Sequence, residues 1–123
     1  MPIKLTDIEI YLISEELANQ NWFIVKNWNY FEKETLGKQL VRAVDSISAN
    51  IAEDYGRYHY KNRQKFGYYA RGSFEETKSW LREGYQRKLF SDSQIEIINK
   101  YVRQIGPKLN SLINTFKNPL AHK

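Results

Sequence analysis

The stretch 94–116, QIEIINKYVRQIGPKLNSLINTF, decides the fold. Its apolar residues Ile95, Ile98, Val102, Ile105, Leu109, Leu112 and Phe116 recur at alternating spacings of three and four. That spacing lays one apolar stripe along a helix, the pattern of bundle and coiled-coil packing. Ser91 followed by Gln94 reads as a capping box at its start. Pro107 removes one backbone hydrogen bond and predicts a kink near Arg103, since the stripe resumes beyond it. Pro119 marks the stop.

Working outward, three more segments carry helical stripes. Residues 63–88 offer Phe66, Ala70, Phe74, Thr77, Leu81 and Tyr85, with Trp80 beside them. Residues 34–54 offer Leu36, Leu40, Val44, Ile47 and Ile51, running on to Tyr55, with Ala43 and Ala52 small enough for a close neighbour. Residues 6–27 are less regular. Ile10, Ile13, Leu17 and Ile24, continued by Trp28, make one face, Ile8, Tyr11, Leu12 and Phe23 broaden it, and Thr6 with Glu9 predicts a second capping box. The aromatic and β-branched run 21–30 has strand propensity but no pairing partner, so it reads as the end of the first helix. Breaks fall at 27–33, 55–62 and 88–93. Short connections between helices of this length favour antiparallel neighbours. The sequence therefore predicts an all-α, antiparallel up-down four-helix bundle, with helices at 6–27, 34–54, 63–88 and 92–116. One domain would span residues 1–118, with a short tail at 119–123.

Composition narrows the class. The 123 residues are 41% hydrophobic and 27% charged, with no cysteine, which excludes disulfides and thiol chemistry and fits a reducing compartment. The start, Met1 to Leu5, lacks the basic-then-apolar order of a secretory signal, and no apolar run approaches the roughly 20 residues that span a bilayer. A cytoplasmic protein is expected. Nine tyrosines and three tryptophans are many for this length. Trp22, Tyr58, Tyr60, Tyr68 and Trp80 remain after each helix receives one inward stripe, and such surplus aromatic surface points to a homo-oligomer.

Catalysis finds little support. The two histidines, His59 and His122, lie in a connection and near the end, and no serine has a histidine and an acid placed around it. Carboxylates at Glu15/Glu16, Asp45, Glu53/Asp54 and Glu75/Glu76 lack the Glu-x-x-His motif of dimetal bundles. The expectation is a non-enzyme with no cofactor and no metal.

Two groups of polar residues stand out. Asn50 and Glu53 fall on or beside an apolar face, and a buried polar group without a partner costs about 1–3 kcal/mol. They predict a polar network joining the second and third helices, with Arg71, Ser73, Glu75 and Glu76 opposite and Ser46 available to close it; a ligand pocket there is the other reading. Gly67 and Gly72 inside the third helix point to close helix contact, since glycine costs about 1 kcal/mol there. The second group is basic. Net charge is +5, and residues 61–90 carry eight Lys/Arg against three Asp/Glu, whereas residues 1–30 carry two against four. Arg57, His59, Lys61, Arg63, Lys65 and Arg71 interleave with aromatic residues, and Lys78, Arg82, Arg87 and Lys88 extend that surface along the third helix. Cations beside rings suit phosphates and unpaired bases. The readings are structured RNA or DNA on this surface, or, alternatively, a scaffold or adaptor whose basic face meets an acidic protein.

At these segments the chain resembles a known family. Gln39-Leu40-Val41-Arg42-Ala43, Ser46-Ile47-Ser48-Ala49-Asn50-Ile51-Ala52-Glu53, Gly56-Arg57 and Ala70-Arg71-Gly72-Ser73 with Glu75/Glu76 are similar to the bacterial four-helix-bundle family often called the ribosomal RNA intervening-sequence proteins. The resemblance runs from Phe31 to Phe90. The chain departs from the family's pattern at Asp54, usually glycine, at Val41, often arginine, and at Glu32, usually proline. The resemblance implies a homo-oligomer, with a ring of five the best-known form. Its relatives include the accessory protein of diversity-generating retroelements, a basic barrel that binds a reverse transcriptase and nucleic acid. The charge of +5 is modest for a nucleic-acid barrel, but five copies of this chain would carry about +25, a scale at which electrostatic attraction to RNA is easier to credit.

Overall fold

The periodic stretch 94–116 is helical throughout. In the computed structural model, helix α4 (Asp92–Lys117) runs through Pro107 without interruption and buries Ile98, Ile105, Leu109 and Leu112. The capping box at its start is complete: Gln94 N–H donates to Ser91 Oγ at 3.1 Å, and Ser91 N–H donates to Gln94 Oε1 at 2.9 Å. The structure describes the backbone of residues 5–55 and 60–117 and the side chains of 7–55 and 63–115. The Thr6 cap, Phe116, Tyr58, Tyr60 and the tail 119–123 lie outside those side chains.

Helix α1 (Leu5–Val25) ends two residues before the expected boundary. Lys26, Asn27 and Trp28 N–H groups bond back to the carbonyls of Trp22, Ile24 and Val25, and Asn27 Nδ2 adds a bond to Phe23 O. These bonds make residues 21–25 helix rather than strand. After four residues the chain turns helical again, earlier than the stripe suggested. A short turn (Tyr30–Glu32) leads through a π-helical segment (Lys33–Gly37) into α2 (Lys38–Tyr55). Gly37 explains the tight entry: a Cβ there would lie 2.8 Å from Val25 Cγ1. Helix α3 covers Tyr60–Gln86. It ends in a left-handed residue, Lys88 at φ 61°, with Leu89 N–H bonded to Gly84 O and Lys88 N–H to Tyr85 O. That is the Schellman pattern, with lysine where glycine is favoured.

Each helix packs on its sequence neighbours, and α1 packs on α4, so the four close into an up-down bundle. Trp28 ties two turns together at one end, donating Nε1–H to Leu89 O at 3.1 Å and meeting the Phe90 ring edge-on. Gly84 makes room for Phe90: a Cβ there would lie 2.5 Å from its ring. Among the described residues, the ion pairs that cross between helices include Arg42 to Glu76 at 2.7 Å and Lys108 to Glu9 at 3.4 Å.

The core departs from the expected stripes in instructive places. Ile10, Leu17, Leu40, Val44, Ile47, Ile51, Ala70, Phe74 and Leu81 are buried as read. Tyr85 is 54% exposed, and Ile8, Leu12 and Phe23 face outward. Ala52 is exposed, so only Ala43 of that pair serves the packing. Gly67 does meet Ile113, whereas a Cβ on Gly72 would touch nothing, so close contact does not account for Gly72. Trp80 is half-buried and bonded to Glu76; Trp22 and Tyr68 remain exposed. On α1, Ser14 Oγ and both amide atoms of Asn21 are buried without a hydrogen-bond partner.

Candidate functional site

Among the described residues the anticipated polar network is not drawn together, because the helical phase sends several of its members apart. Asn50 Nδ2 bonds to Ser46 O one turn back on its own helix, and Glu53 is exposed. Arg71 lies on the α4 side of α3, away from α2. Ser73 contributes its carbonyl to Thr77 Oγ1, and Glu75 pairs with Lys78 at 3.0 Å. Glu76 bridges to α2 through Arg42.

The buried polar pair is a different one. Asp54 is fully buried, and its Oδ2 accepts from Arg63 Nη2 at 3.2 Å across the α2–α3 connection. Arg63, read from sequence as part of an exposed basic surface, is 7% exposed. Burial pushes the Asp54 carboxyl above its ordinary value, opposed by Arg63 and reinforced by the nearby Asp7. The neighbouring Tyr55 phenol is pushed up chiefly by burial, then by Asp7 and Asp54. No motif signals this pair, whose partners stand nine positions apart, one near the end of α2 and one near the start of α3.

The remaining basic residues divide between faces. Lys65 sits over the Tyr69 ring, at 5.7 Å from its centroid. At about 100° per residue it points about 140° away from Lys78 around α3. Arg87 pairs with Glu83 at 3.0 Å, and Lys88 occupies the left-handed cap. The side chains of Arg57 and Lys61 lie outside those described.

What the fold does bring together is Arg71, Lys78 and Arg82, all facing the seam between α3 and α4. Lys78 and Arg82 line a groove of about 350 Å³ with Tyr85, and its far wall is Ile95, Asn99 and Val102 of α4. Arg71 and Lys78 share an adjoining hollow of about 230 Å³ beside Asn110. With a rise of 1.5 Å per residue the three cations span about 16 Å of α3. Glu75 holds Lys78, while Arg71 and Arg82 make no ion pair among the described residues. Lys78 also stacks its ammonium 4.9 Å from the Phe74 ring centroid. A row of cations, two amides and an exposed ring over an apolar floor can hold successive phosphates and one stacked ring. The sequence places Lys78 and Arg82 on one surface and reads Arg71 both with the interleaved cations and in the polar network; spacings of seven and eleven from Arg71 to the other two are the signal that joins them. Among the described residues, no three His, Cys, Asp or Glu side chains gather to hold a metal ion, and no helix is long and apolar enough to cross a membrane.

The family described as 23S rRNA-intervening sequence protein matches residues 6–111 of the chain. Among solved structures, a protein of unknown function from the S23 ribosomal protein family of Bacteroides thetaiotaomicron VPI-5482 is 27% identical, with a TM-score of 0.82 over 90% of this chain and 100% of that one. A methionine–tRNA ligase of Borreliella burgdorferi (strain ZS7) is 28% identical over 131 residues, covering 94% of this chain. The chain matches 17% of the length of that ligase.

Proposed function

The chain belongs to the 23S rRNA-intervening sequence protein family, and from that premise we propose that it is a non-enzymatic, self-associating bundle that grips the phosphate backbone of structured RNA or DNA. The observation that carries this reading is the row Arg71, Lys78 and Arg82 beside Tyr85 along the α3/α4 seam. Arginine and lysine neutralise phosphates without reading sequence, and a ring beside them stacks on an unpaired base. The likeness to part of a ligase that is named for its action on tRNA agrees with an RNA partner.

Self-association rests on α1. Ile8, Leu12, Glu16, Asn19 and Phe23 follow a three-four spacing on its outer face, where Ile8, Leu12 and Phe23 are 40%, 51% and 58% exposed. Apolar residues therefore occur on both faces of the helix, and an apolar outer face calls for a partner. A ring of five is the form we expect.

The second reading, an acidic protein partner, draws on the apolar floor of Leu81, Ile95 and Val102 in the same groove. An amphipathic acidic helix would suit it. One set of substitutions tests the seam for the first reading. Arg71→Gln, Lys78→Gln and Arg82→Gln together should lower affinity for a structured RNA at least tenfold near 0.1 M salt. The slope of log affinity against log salt should shrink by about 2–3, as three lost phosphate contacts require. Melting temperature should hold, because none of the three side chains is buried and the Lys78–Glu75 pair is exposed. Unchanged affinity and slope would remove the seam from the account.

A further inference from the structure

A second groove, between α1 and the start of α2, has a composition the seam does not explain. It encloses about 360 Å³, a volume within the range of small-ligand pockets. Its floor is Trp22, Val25, Gly37 and Val41, and Lys26, Lys33, Lys38 and Arg42 stand around it. Four cations over an apolar floor are costly to gather unless an anion or carboxylates offset them. Glu34 takes Lys38 at 2.9 Å and Glu76 takes Arg42 at 2.7 Å. Lys33 and Lys26 have no carboxylate partner among the described residues. Lys33 Nζ donates to Lys26 O at 3.3 Å, and Lys26 Nζ rests 5.6 Å from the Phe23 ring centroid.

The backbone is also unusual here. The π-helical turn Lys33–Gly37 forms one wall, and such turns are frequent at functional sites. It sets Lys33 and Lys38 on the same groove, and Gly37 closes the base because any side chain there would strike Val25. Trp22, a large flat ring 53% exposed at the groove, has little reason to stay uncovered unless something stacks on it.

We infer that this groove is a binding site for a nucleotide unit, its base stacked on Trp22 and its phosphate held between Lys33 and Lys26. The planar, anionic character of the ligand follows from the ring and the two ammonium groups that have no carboxylate partner among the described residues; a plain apolar ligand would leave their charge unanswered, and inorganic phosphate would leave the ring uncovered. A free mononucleotide and an unpaired nucleotide in an RNA strand present the same chemistry. The site is separate from the α3/α4 seam, so it stands whether or not the seam binds.

Tryptophan fluorescence tests it in the full chain. Adenosine monophosphate and a short single-stranded oligoadenylate should each be titrated, with adenosine and inorganic phosphate as partial ligands. Saturable quenching by either phosphorylated ligand supports the site, and the tighter of the two identifies the source. Adenosine should bind at least tenfold more weakly than its monophosphate, and inorganic phosphate should not quench. Lys33→Gln should raise the dissociation constant at least fivefold, and Trp22→Phe should abolish the quench, since the other tryptophans, Trp28 and Trp80, are partly buried in the bundle. The seam variant with Arg71, Lys78 and Arg82 replaced should keep its mononucleotide affinity. Absence of saturable quenching by both phosphorylated ligands, or an unchanged dissociation constant in Lys33→Gln, overturns the inference.

Discussion

Arg63→Ala should destabilise the bundle by about 3–5 kcal/mol, the cost of leaving one member of a buried ion pair alone. Asp54 has no exposed surface, its Oδ1 has no hydrogen-bond partner, and its Oδ2 takes Arg63 at 3.2 Å. Asp54 also lies in the last turn of α2, where the helix dipole disfavours a negative charge. For a domain of this size the loss corresponds to a fall in melting temperature of roughly 10–20 °C. Its pH dependence has a definite sign. The folded Asp54 carboxyl sits above its unfolded value, so its contribution to stability is full below the unfolded value and is lost as pH rises through the folded one. Removing Arg63 raises the folded value further. The deficit of Arg63→Ala should therefore be small near pH 4 and grow toward neutrality. Replacing both partners, Asp54→Leu with Arg63→Met, should recover stability to within about 1 kcal/mol of the parent or exceed it. A deficit constant from pH 4 to 7, or a double variant as unstable as the single one, would show that the pair does not carry the connection.

The other large effect concerns assembly. Leu12→Glu with Phe23→Glu should reduce the solution mass to that of the 14.7 kDa chain while leaving its helical circular dichroism intact. Both residues are more than half exposed in the single chain, so the fold does not depend on them. Burying each in a subunit contact is worth about 1.5–3 kcal/mol. Losing both raises the dissociation constant per contact by about 100-fold or more. Sedimentation of the parent and the variant over a concentration series measures this. A parent monomeric throughout would contradict self-association, and an assembled variant would move the contact off the outer face of α1.

The helices were legible because their core stripes are strongly periodic. Ser91 and Gln94 also declared the start of α4, and the capping bonds are there. Helix α1 was legible in kind but not in phase. Its outer face carries Ile8, Leu12 and Phe23, so apolar residues mark no single side, and an irregular stripe was itself the sign of a second, uncovered face. The π turn was not legible: no propensity encodes it, and the contact of Gly37 with Val25 depends on two helices already packed. The same limit governs the sites. Periodicity places Lys78 and Arg82 on one face, but assigning Arg71 to the α4 side required knowing which flank of α3 meets which neighbour. Arg63 misled for the opposite reason. A lone arginine among basic residues reads as surface, and only the close approach of the α2 end buries it against Asp54.

The most direct test of the nucleic-acid reading is a titration of the intact protein with a structured RNA across a salt series, with the mass of the complex followed at each step. The account predicts sub-micromolar binding at low salt, an affinity that falls steeply as salt rises, and a defined oligomer as the binding species. Absence of binding at low salt by an intact oligomer would contradict it, and would leave the basic seam to an acidic protein partner.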